Sequence, residues 1–405
     1  MFSFKNKLHE ELKRSMDKRT FKTFRVLIKY KDLEKNIISK IISYKGTVYS
    51  SIDSLKIISA SLTPHSIERL IEYPEIQYIS LDNFCFLCGK RNELIGVNLR
   101  SANRTYLNPK YEITGAGIGV GIIDTGVYPH SDLINPNKIN FFFDMINKFN
   151  YPYDDSGHGS CTSGIICGSG VSSKDSIFKG IAPQSHLCIY KAFGSNGRGY
   201  VSDVLYSLSR LIEDSETYNL RVLCLPFELL ITNTFIEDLF QRLFDIAQEK
   251  NIIPVVPAGN NESTEGTLMG IASCKNVITV GGINTFNGGY QRYKYSSAGP
   301  VQKASKPDVS AACVNIISLN TVKTFLPERN GIKLYPPHLE EPYAVYSGTS
   351  TSCAFISGVC ALILENNPKL TFKDVVSLLK VCSRDVNLPK EIQGAGLPDL
   401  NMIFS

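Results

Sequence analysis

The sequence predicts an α/β protein: a large domain on a mainly parallel sheet, preceded by a small domain of mixed strands and helices. Two observations predict it. From Gly115 onward, short and nearly continuous apolar runs alternate with helical stretches. Strands of a parallel sheet covered on both faces read this way. Before residue 84, short Val-, Ile- and Tyr-rich runs alternate with helical stretches in a different order, and a stretch without clear period separates the two regions.

In the small domain, FRVLIKYK (24–31) reads as a strand and DLEKNIISKII (32–42) as a helix. GTVYSSIDSLKIISASLT (46–63) is a strand pair broken at Ser51–Ser54, hence a hairpin. PHSIERLIEYP (64–74) is a helix opened by Thr63-Pro64, with Pro at the first helical position. IQYISLDN (76–83) is the last strand. The order β-α-β-β-α-β over 24–83 is that of a ferredoxin-like split unit. Ahead of it, Phe4, Leu8, Leu12 and Met16 recur at helical spacing within an N-terminal extension, residues 1–23. That extension reads as an amphipathic cap packed on the body, ahead of a membrane-surface helix. Residues 84–107 carry Cys85, Cys88, Gly89 and several charges and read as a linker.

In the large domain, 108–405, the strands are IGVGIID (118–124), HLCIYKAF (186–193), LRVLCLPF (220–227), IIPVVPAGN (252–260) and NVITVGGI (276–283). The helices are VSDVLYSLSRLIED (201–214), TFIEDLFQRLFDIAQEKN (234–251), the segment after Ser350, and FKDVVSLLKVC (372–382). In such sheets, sites gather at the carboxyl ends of the strands.

Composition narrows the function classes. A formal charge of +5, spread over 43 Lys+Arg and 38 Asp+Glu, is too weak and dispersed to point to nucleic acid. No run of about 18 apolar residues is present, so no transmembrane segment is expected. The basic N-terminus lacks the apolar stretch of a secretory signal. Eleven cysteines, an odd count without a signal peptide, read as free thiols in a reducing compartment. Cys85 and Cys88 make one C-x-x-C with no second pair for zinc.

Four polar residues stand where chemistry is expected. Asp124 ends the strand of GVGIIDTGVYPHSDL. A carboxylate there needs partners; it is either the cap of the next turn or a functional acid. His158, between two glycines in YDDSGHGS, is either a helix-start residue or an imidazole open to close approach. Asn260 follows a buried strand in VVPAGNN. It is a turn residue or an amide aimed at a developing oxyanion. Ser350, in YSGTSTSCAFISG, falls where a run of small hydroxyl residues hands over to a helix. It is an N-cap or a nucleophile beside orphan N–H groups. Taken together, all four lie at element ends of one parallel α/β domain, in the chain order Asp…His…Ser known for triad chemistry.

These residues carry a resemblance. IIDTGV (122–127), GHG (157–159) and GTS (348–350) resemble the three motifs of the subtilisin-like serine proteases, the subtilase family. GIAP (180–183), AGN (258–260), YSSAGP (295–300) and KPD (306–308) resemble further landmarks, in order, over roughly 108–400. GVYPHSDL and YPYDDSGHGS are nearest to the bacterial intracellular members without a signal peptide, which implies a cytoplasmic enzyme. The resemblance implies a subtilisin-like three-layer domain and a serine endopeptidase. Ser350 would be nucleophile, His158 general base and then acid, and Asp124 the residue fixing His158. Asn260, with the Ser350 N–H, would form the oxyanion hole. The 24–83 domain is similar to the family's inhibitor-like propeptide, an intramolecular inhibitor released by processing within 80–105. The partner is a protein or peptide substrate. No cofactor is implied, and the sequence has no ligand pattern for the calcium that many relatives carry.

The chain departs from the family at the substrate cleft. Where Ser-x-Gly-Gly is usual, Pro226-Phe227-Glu228-Leu229 stands. Substrate would meet Pro226, Phe227, Glu228 and Gly259, and bulky side chains there imply a narrow specificity. Two alternatives follow: a catalytically weak or inactive subtilase acting as a binding partner, or an α/β esterase. The latter needs G-x-S-x-G, and the second Gly is missing after Ser350.

Overall fold

The structure, a computed structural model, describes residues 4–18, 21–92, 113–285, 289–300 and 305–405. The chain divides into two compact units, residues 1–84 with 200–209, and residues 85–199 with 210–405.

In the small unit, α1 (Glu10–Asp17) precedes β1 (Phe24–Tyr30), α2 (Glu34–Ser43), β2 (Thr47–Ile52), β3 (Ile57–Leu62), α3 (Pro64–Leu70) and β4 (Ile76–Leu81). The sheet order is β2-β3-β1-β4, all antiparallel. Alternation sets its buried face: Phe24, Val26, Ile28 and Tyr30 of β1 share a core with Ile58, Ala60 and Leu62 of β3. Ile37 and Ile41 of α2, and Ile67 and Leu70 of α3, complete that core. Thr63 caps α3 through the Ser66 N–H at 3.1 Å. Leu8, Leu12 and Met16 enter the same core; only Leu12 and Met16 lie on α1, while Leu8 forms an isolated bridge with Ile79, so the helical run expected from Phe4 to Met16 is shorter than its spacing implies. Arg25 pairs with Asp82 and Asp203, each at 2.7 Å.

The large unit begins with β5 (Phe84–Leu87), whose first residue counts with the small unit, and β6 (Lys90–Asn92). Both fall in the predicted linker, whose remainder, 93–107, lies outside the described residues. Then come β7 (Gly119–Asp124), α4 (Ser131–Ile134), β8 (Ile139–Asp144), α5 (His158–Cys167), β9 (His186–Lys191), β10 (Arg198–Tyr200) and α6 (Val201–Glu213), of which residues 200–209 count with the small unit. They are followed by β11 (Leu220–Cys224), β12 (Phe227–Glu228), α7 (Thr234–Glu249), β13 (Ile253–Pro257), β14 (Ile278–Asn284), β15 (Gln291–Arg292), β16 (Val309–Ala312) and β17 (Ile316–Leu319). A hairpin, β18 (Glu328–Arg329) and β19 (Ile332–Lys333), leads to β20 (Tyr343–Ser347), α8 (Thr349–Asn366) and α9 (Phe372–Val381).

The main sheet runs β15-β14-β13-β11-β7-β9-β8, with β16 also on β14. Every pairing is parallel except that of β15 with β14. The five predicted strands form its centre; β8, β15 and β16 are additions the sequence reading lacks. α8 is buried from Thr349 to Leu364. Its small residues permit this: a side chain at Gly358 would meet Ile181 Cβ at 2.7 Å. Among the described residues, no helix is long and apolar enough to cross a membrane.

Candidate active site

Asp124 is the last residue of β7 and is fully buried. Its Oδ1 and Oδ2 lie 2.8 and 2.9 Å from His158 Nδ1. The Thr125 N–H (2.6 Å) and the Thr162 hydroxyl (3.0 Å) also donate to it. A buried carboxylate so surrounded is satisfied and fixed in orientation. His158 opens α5 after Gly157, whose φ of 98° favours glycine. Burial pulls the His158 pKa down, but the Asp124 carboxylate, with Asp154 behind it, outweighs burial and holds it above the ordinary histidine value.

Ser350 is the second residue of α8, so its backbone N–H is among the helix's unpaired donors. That N–H donates to the carbonyl oxygen of Cys88 at 3.0 Å. Asn260 follows β13, and its Oδ1 accepts from the N–H (3.3 Å) and hydroxyl (3.1 Å) of Thr349. With Oδ1 so held, the NH₂ end of the amide is the end free to serve an oxyanion.

Residues 85–92 occupy the cleft as an extended segment. Leu87 pairs with Phe227 and Phe86 with Glu228, antiparallel. The Cys88 N–H donates to Pro226 O at 3.4 Å. Past Gly89, β6 pairs antiparallel with β20, Lys90 opposite Ser347. A side chain on Gly89 would stand 2.5 Å from Ser350 Oγ and 3.1 Å from His158 Nε2. Gly89 therefore sits directly before both groups, and His158 Nε2 makes no hydrogen bond among the described residues. Gly348, at φ 145°, backs this segment; any side chain there would collide with Cys88 O and Gly89 Cα.

The structure separates the four residues predicted to meet substrate. Pro226 contributes its carbonyl, so its missing N–H is no loss. Phe227 contributes backbone only: its ring is buried against Phe193 and Phe240, at centroid distances of 5.3 and 6.4 Å, and does not narrow the cleft. Glu228 reaches into it. The Glu228 carboxylate accepts from the Asn260 N–H (2.9 Å) and from Asn261 Nδ2 (3.3 Å). Gly259 borders it, since a side chain there would lie 2.8 Å from Glu228 Oε2.

Three positioning residues escaped the sequence reading. Asp154 accepts from the Thr125 hydroxyl (2.9 Å), the Gly157 N–H (2.8 Å) and both the N–H (2.8 Å) and hydroxyl (2.7 Å) of Ser160. Thr125 Oγ1 in turn accepts the Gly159 N–H at 2.9 Å. Lys191 is fully buried, with Nζ on Thr125 O (2.8 Å), Phe193 O (3.1 Å) and Asp155 (2.7 Å). The signal for Asp154 was present in the acidic pair preceding the His motif. Lys191 sits in an apolar strand, where only a buried cation at its end hints at a role. Among the described residues, no three His, Cys, Asp or Glu side chains are grouped to hold a metal.

The profile of the Subtilase family matches residues 115–396. Serine protease AprX of Bacillus subtilis is 33% identical over 278 residues, covering 66% of this chain and 61% of AprX. Subtilisin E of the same species is 25% identical over 342 residues, covering 84% and 77% of the two chains. The match thus spans about three fifths of AprX. Two solved structures share the fold. Fervidolysin from Fervidobacterium pennivorans, described as a keratinolytic enzyme related to subtilisin, has a TM-score of 0.71 at 19% identity and covers 94% of this chain and 60% of that one. A variant of the epidermin leader-peptide-processing serine protease from Staphylococcus aureus has a TM-score of 0.72 at 20% identity, covering 95% and 100%. The matched span includes Asp124 at the end of β7, Asn260 after β13, and His158 and Ser350 at the starts of α5 and α8, and on it the chain belongs to the subtilase family.

Proposed function

We propose that this chain is a serine endopeptidase made as an autoinhibited proenzyme, and that its first substrate is its own Cys88–Gly89 bond. The observation that carries this reading is the Cys88 carbonyl on the Ser350 N–H, with Gly89 before Ser350 Oγ and His158 Nε2.

In the reaction, His158 Nε2 takes the Ser350 proton as Oγ attacks the carbonyl carbon of Cys88. The oxyanion is held by the Ser350 N–H and the NH₂ of Asn260. His158 returns the proton to the nitrogen of Gly89, which leaves as an amine. Water, activated by His158, then hydrolyses the acyl-enzyme at Ser350. Asp124 keeps Nδ1 protonated and stabilises the imidazolium. Side chains and water suffice for these steps. The small unit, residues 24–83, serves as the propeptide domain and intramolecular inhibitor, and the segment up to Cys88 keeps the cleft filled until it leaves. The substrates in trans are proteins or peptides.

A reducing, cytoplasmic setting agrees with eleven free and buried cysteines. The intact four-residue constellation favours turnover over a binding-only role.

The test is the intact mass of the purified chain beside Ser350→Ala. A wild type beginning at Gly89, with the variant full length, is the expected result. A full-length wild type that a fluorophosphonate does not label at Ser350 would overturn the reading.

A further inference from the structure

The segment before the proposed cut lies between β12 and β10 in one three-stranded sheet. The β10 side, which the mechanism does not use, fixes a register. The Leu87 N–H donates to Gly197 O at 3.1 Å, and the Val201 N–H donates to Asn83 O at 2.9 Å. One antiparallel alignment contains both bonds, and it sets Phe86 opposite Arg198 and Phe84 opposite Tyr200. Residues two apart on a strand share a face, so two rings of the segment meet two side chains of β10. The Phe84 and Tyr200 ring centroids are 4.5 Å apart, with the planes at 33°. The guanidinium carbon of Arg198 lies 5.8 Å from the centre of the Phe86 ring. Phe84 and Tyr200 belong to the small unit, Phe86 and Arg198 to the large one, so each pair is internal to one unit.

Ring chemistry decides both contacts. Arg198 is exposed, and among the described residues its guanidinium joins no carboxylate. It meets an aromatic face instead, whose quadrupole attracts the cation. An aliphatic side chain at that position would lose this attraction. Tyr200 stacks on Phe84, a ring that is otherwise exposed. An alanine there would forfeit the ring pairing and the area it covers. A carboxylate opposite Arg198 would form an exposed ion pair, which salt screens and which contributes little.

We propose that Arg198 and Tyr200 read the substrate: the enzyme favours peptides with aromatic side chains at the third and fifth residues before the cut, counting the residue that gives the scissile carbonyl as the first. In the chain's own segment these are Phe86 and Phe84. The proposal rests on the self-cleavage reading above, whose substrate class it names as segments of the form aromatic-x-aromatic-x-x ahead of the bond.

The test uses the full chain after it has matured, with the peptide Asn-Phe-Cys-Phe-Leu-Cys-Gly-Lys-Arg kept in reductant. Companion peptides carry Ala or Glu for the second Phe, Ala for the first, or Ala for both. Product masses identify the bond cut, and Ser350 labelling by a fluorophosphonate is followed in every sample. Alanine at the third residue should lower kcat/KM about threefold and at the fifth about fivefold, the two effects multiplying to about fifteenfold. The preference for Phe over Ala at the third residue should vanish in Arg198→Ala, and that at the fifth in Tyr200→Ala. Wild-type chain that labels, matures after Cys88 and cleaves the Ala peptides as fast as the Phe peptide overturns the selectivity. So does a Glu peptide cleaved as fast as the Phe peptide, which would make Arg198 a reader of charge. A preference that survives Arg198→Ala or Tyr200→Ala removes that residue from the assignment. Labelled chain that matures at another bond overturns the self-cleavage reading, and the register with it. A wild type that neither labels nor shortens overturns the protease reading itself. The peptide series needs no variant to fold, so a failed variant leaves the test standing.

Discussion

The ammonium of Lys191 lies 2.7 Å from the Asp155 carboxylate, with the lysine side chain wholly buried and the aspartate about a quarter exposed. This pair ties the strand beside Asp124 to the loop that delivers His158, because Lys191 pairs in register with Asp124 across β9 and β7. Lys191→Met removes the cation but leaves Asp155, Thr125 O and Phe193 O short of a donor. A stability loss of about 3 kcal/mol is expected, together with a lower kcat. Urea unfolding in a Ser350→Ala background measures the first, and an unchanged midpoint would refute it.

In the proposed oxyanion hole, Asn260 presents its NH₂ because Thr349 occupies its other end. Asn260→Ala should lower kcat by about 10²–10³-fold while moving KM little, the pattern of an interaction made only in the transition state. Steady-state kinetics on one peptide decides it. A loss confined to KM would remove Asn260 from the oxyanion hole.

In the proposed role of general base, His158 works only when neutral. Burial lowers its pKa, Asp124 and Asp154 raise it, and the net lies above 6.5. The acid limb of kcat/KM should therefore have its midpoint above 6.5, and Asp124→Asn should bring that midpoint down. Stability responds in the opposite sense. The folded state binds this proton more tightly than the unfolded chain, so the contribution is fully present below 6.5 and lost as pH rises through the folded value. A pH–rate profile whose limb ignores Asp124→Asn would contradict this assignment.

Gly89 has no space for a side chain in front of Ser350 and His158. Gly89→Val should hold the chain full length over a time in which the wild type matures. Mass spectrometry reads this directly, and a variant maturing at the wild-type rate and bond would show that Gly89 does not lie at the cut.

Much of the large unit was legible because its central strands are buried on both faces and read as apolar runs. Asp124 and Asn260 could be picked out because polar residues at the ends of such strands need a reason, and His158 and Ser350 because they stand among small residues at helix starts. β5 and β6 were not legible. Their partners, including Phe227–Glu228 and Val345–Ser347, lie far along the chain, and strands this short take their conformation from tertiary neighbours rather than from their own pattern. Glu228 was visible only as a missing glycine; its partners are backbone and side-chain donors of the Asn260 loop, which no local spacing foretells. Phe227 read as a bulky cleft residue, because sequence does not say which face of a two-residue strand turns inward.

The segment around Cys88–Gly89 is held as strand on both sides, by β12 before the bond and by β20 after it. On the self-cleavage proposed above, the new amine of Gly89 would stay zipped in place, poised to attack the acyl-enzyme and remake the link it has just lost. Cutting and rejoining then form a local equilibrium, and net progress waits for one strand to peel away. A proenzyme cut at this bond would thus carry a delay between first scission and free activity. Its length is set by unzipping, and a lag unchanged on dilution is its kinetic mark.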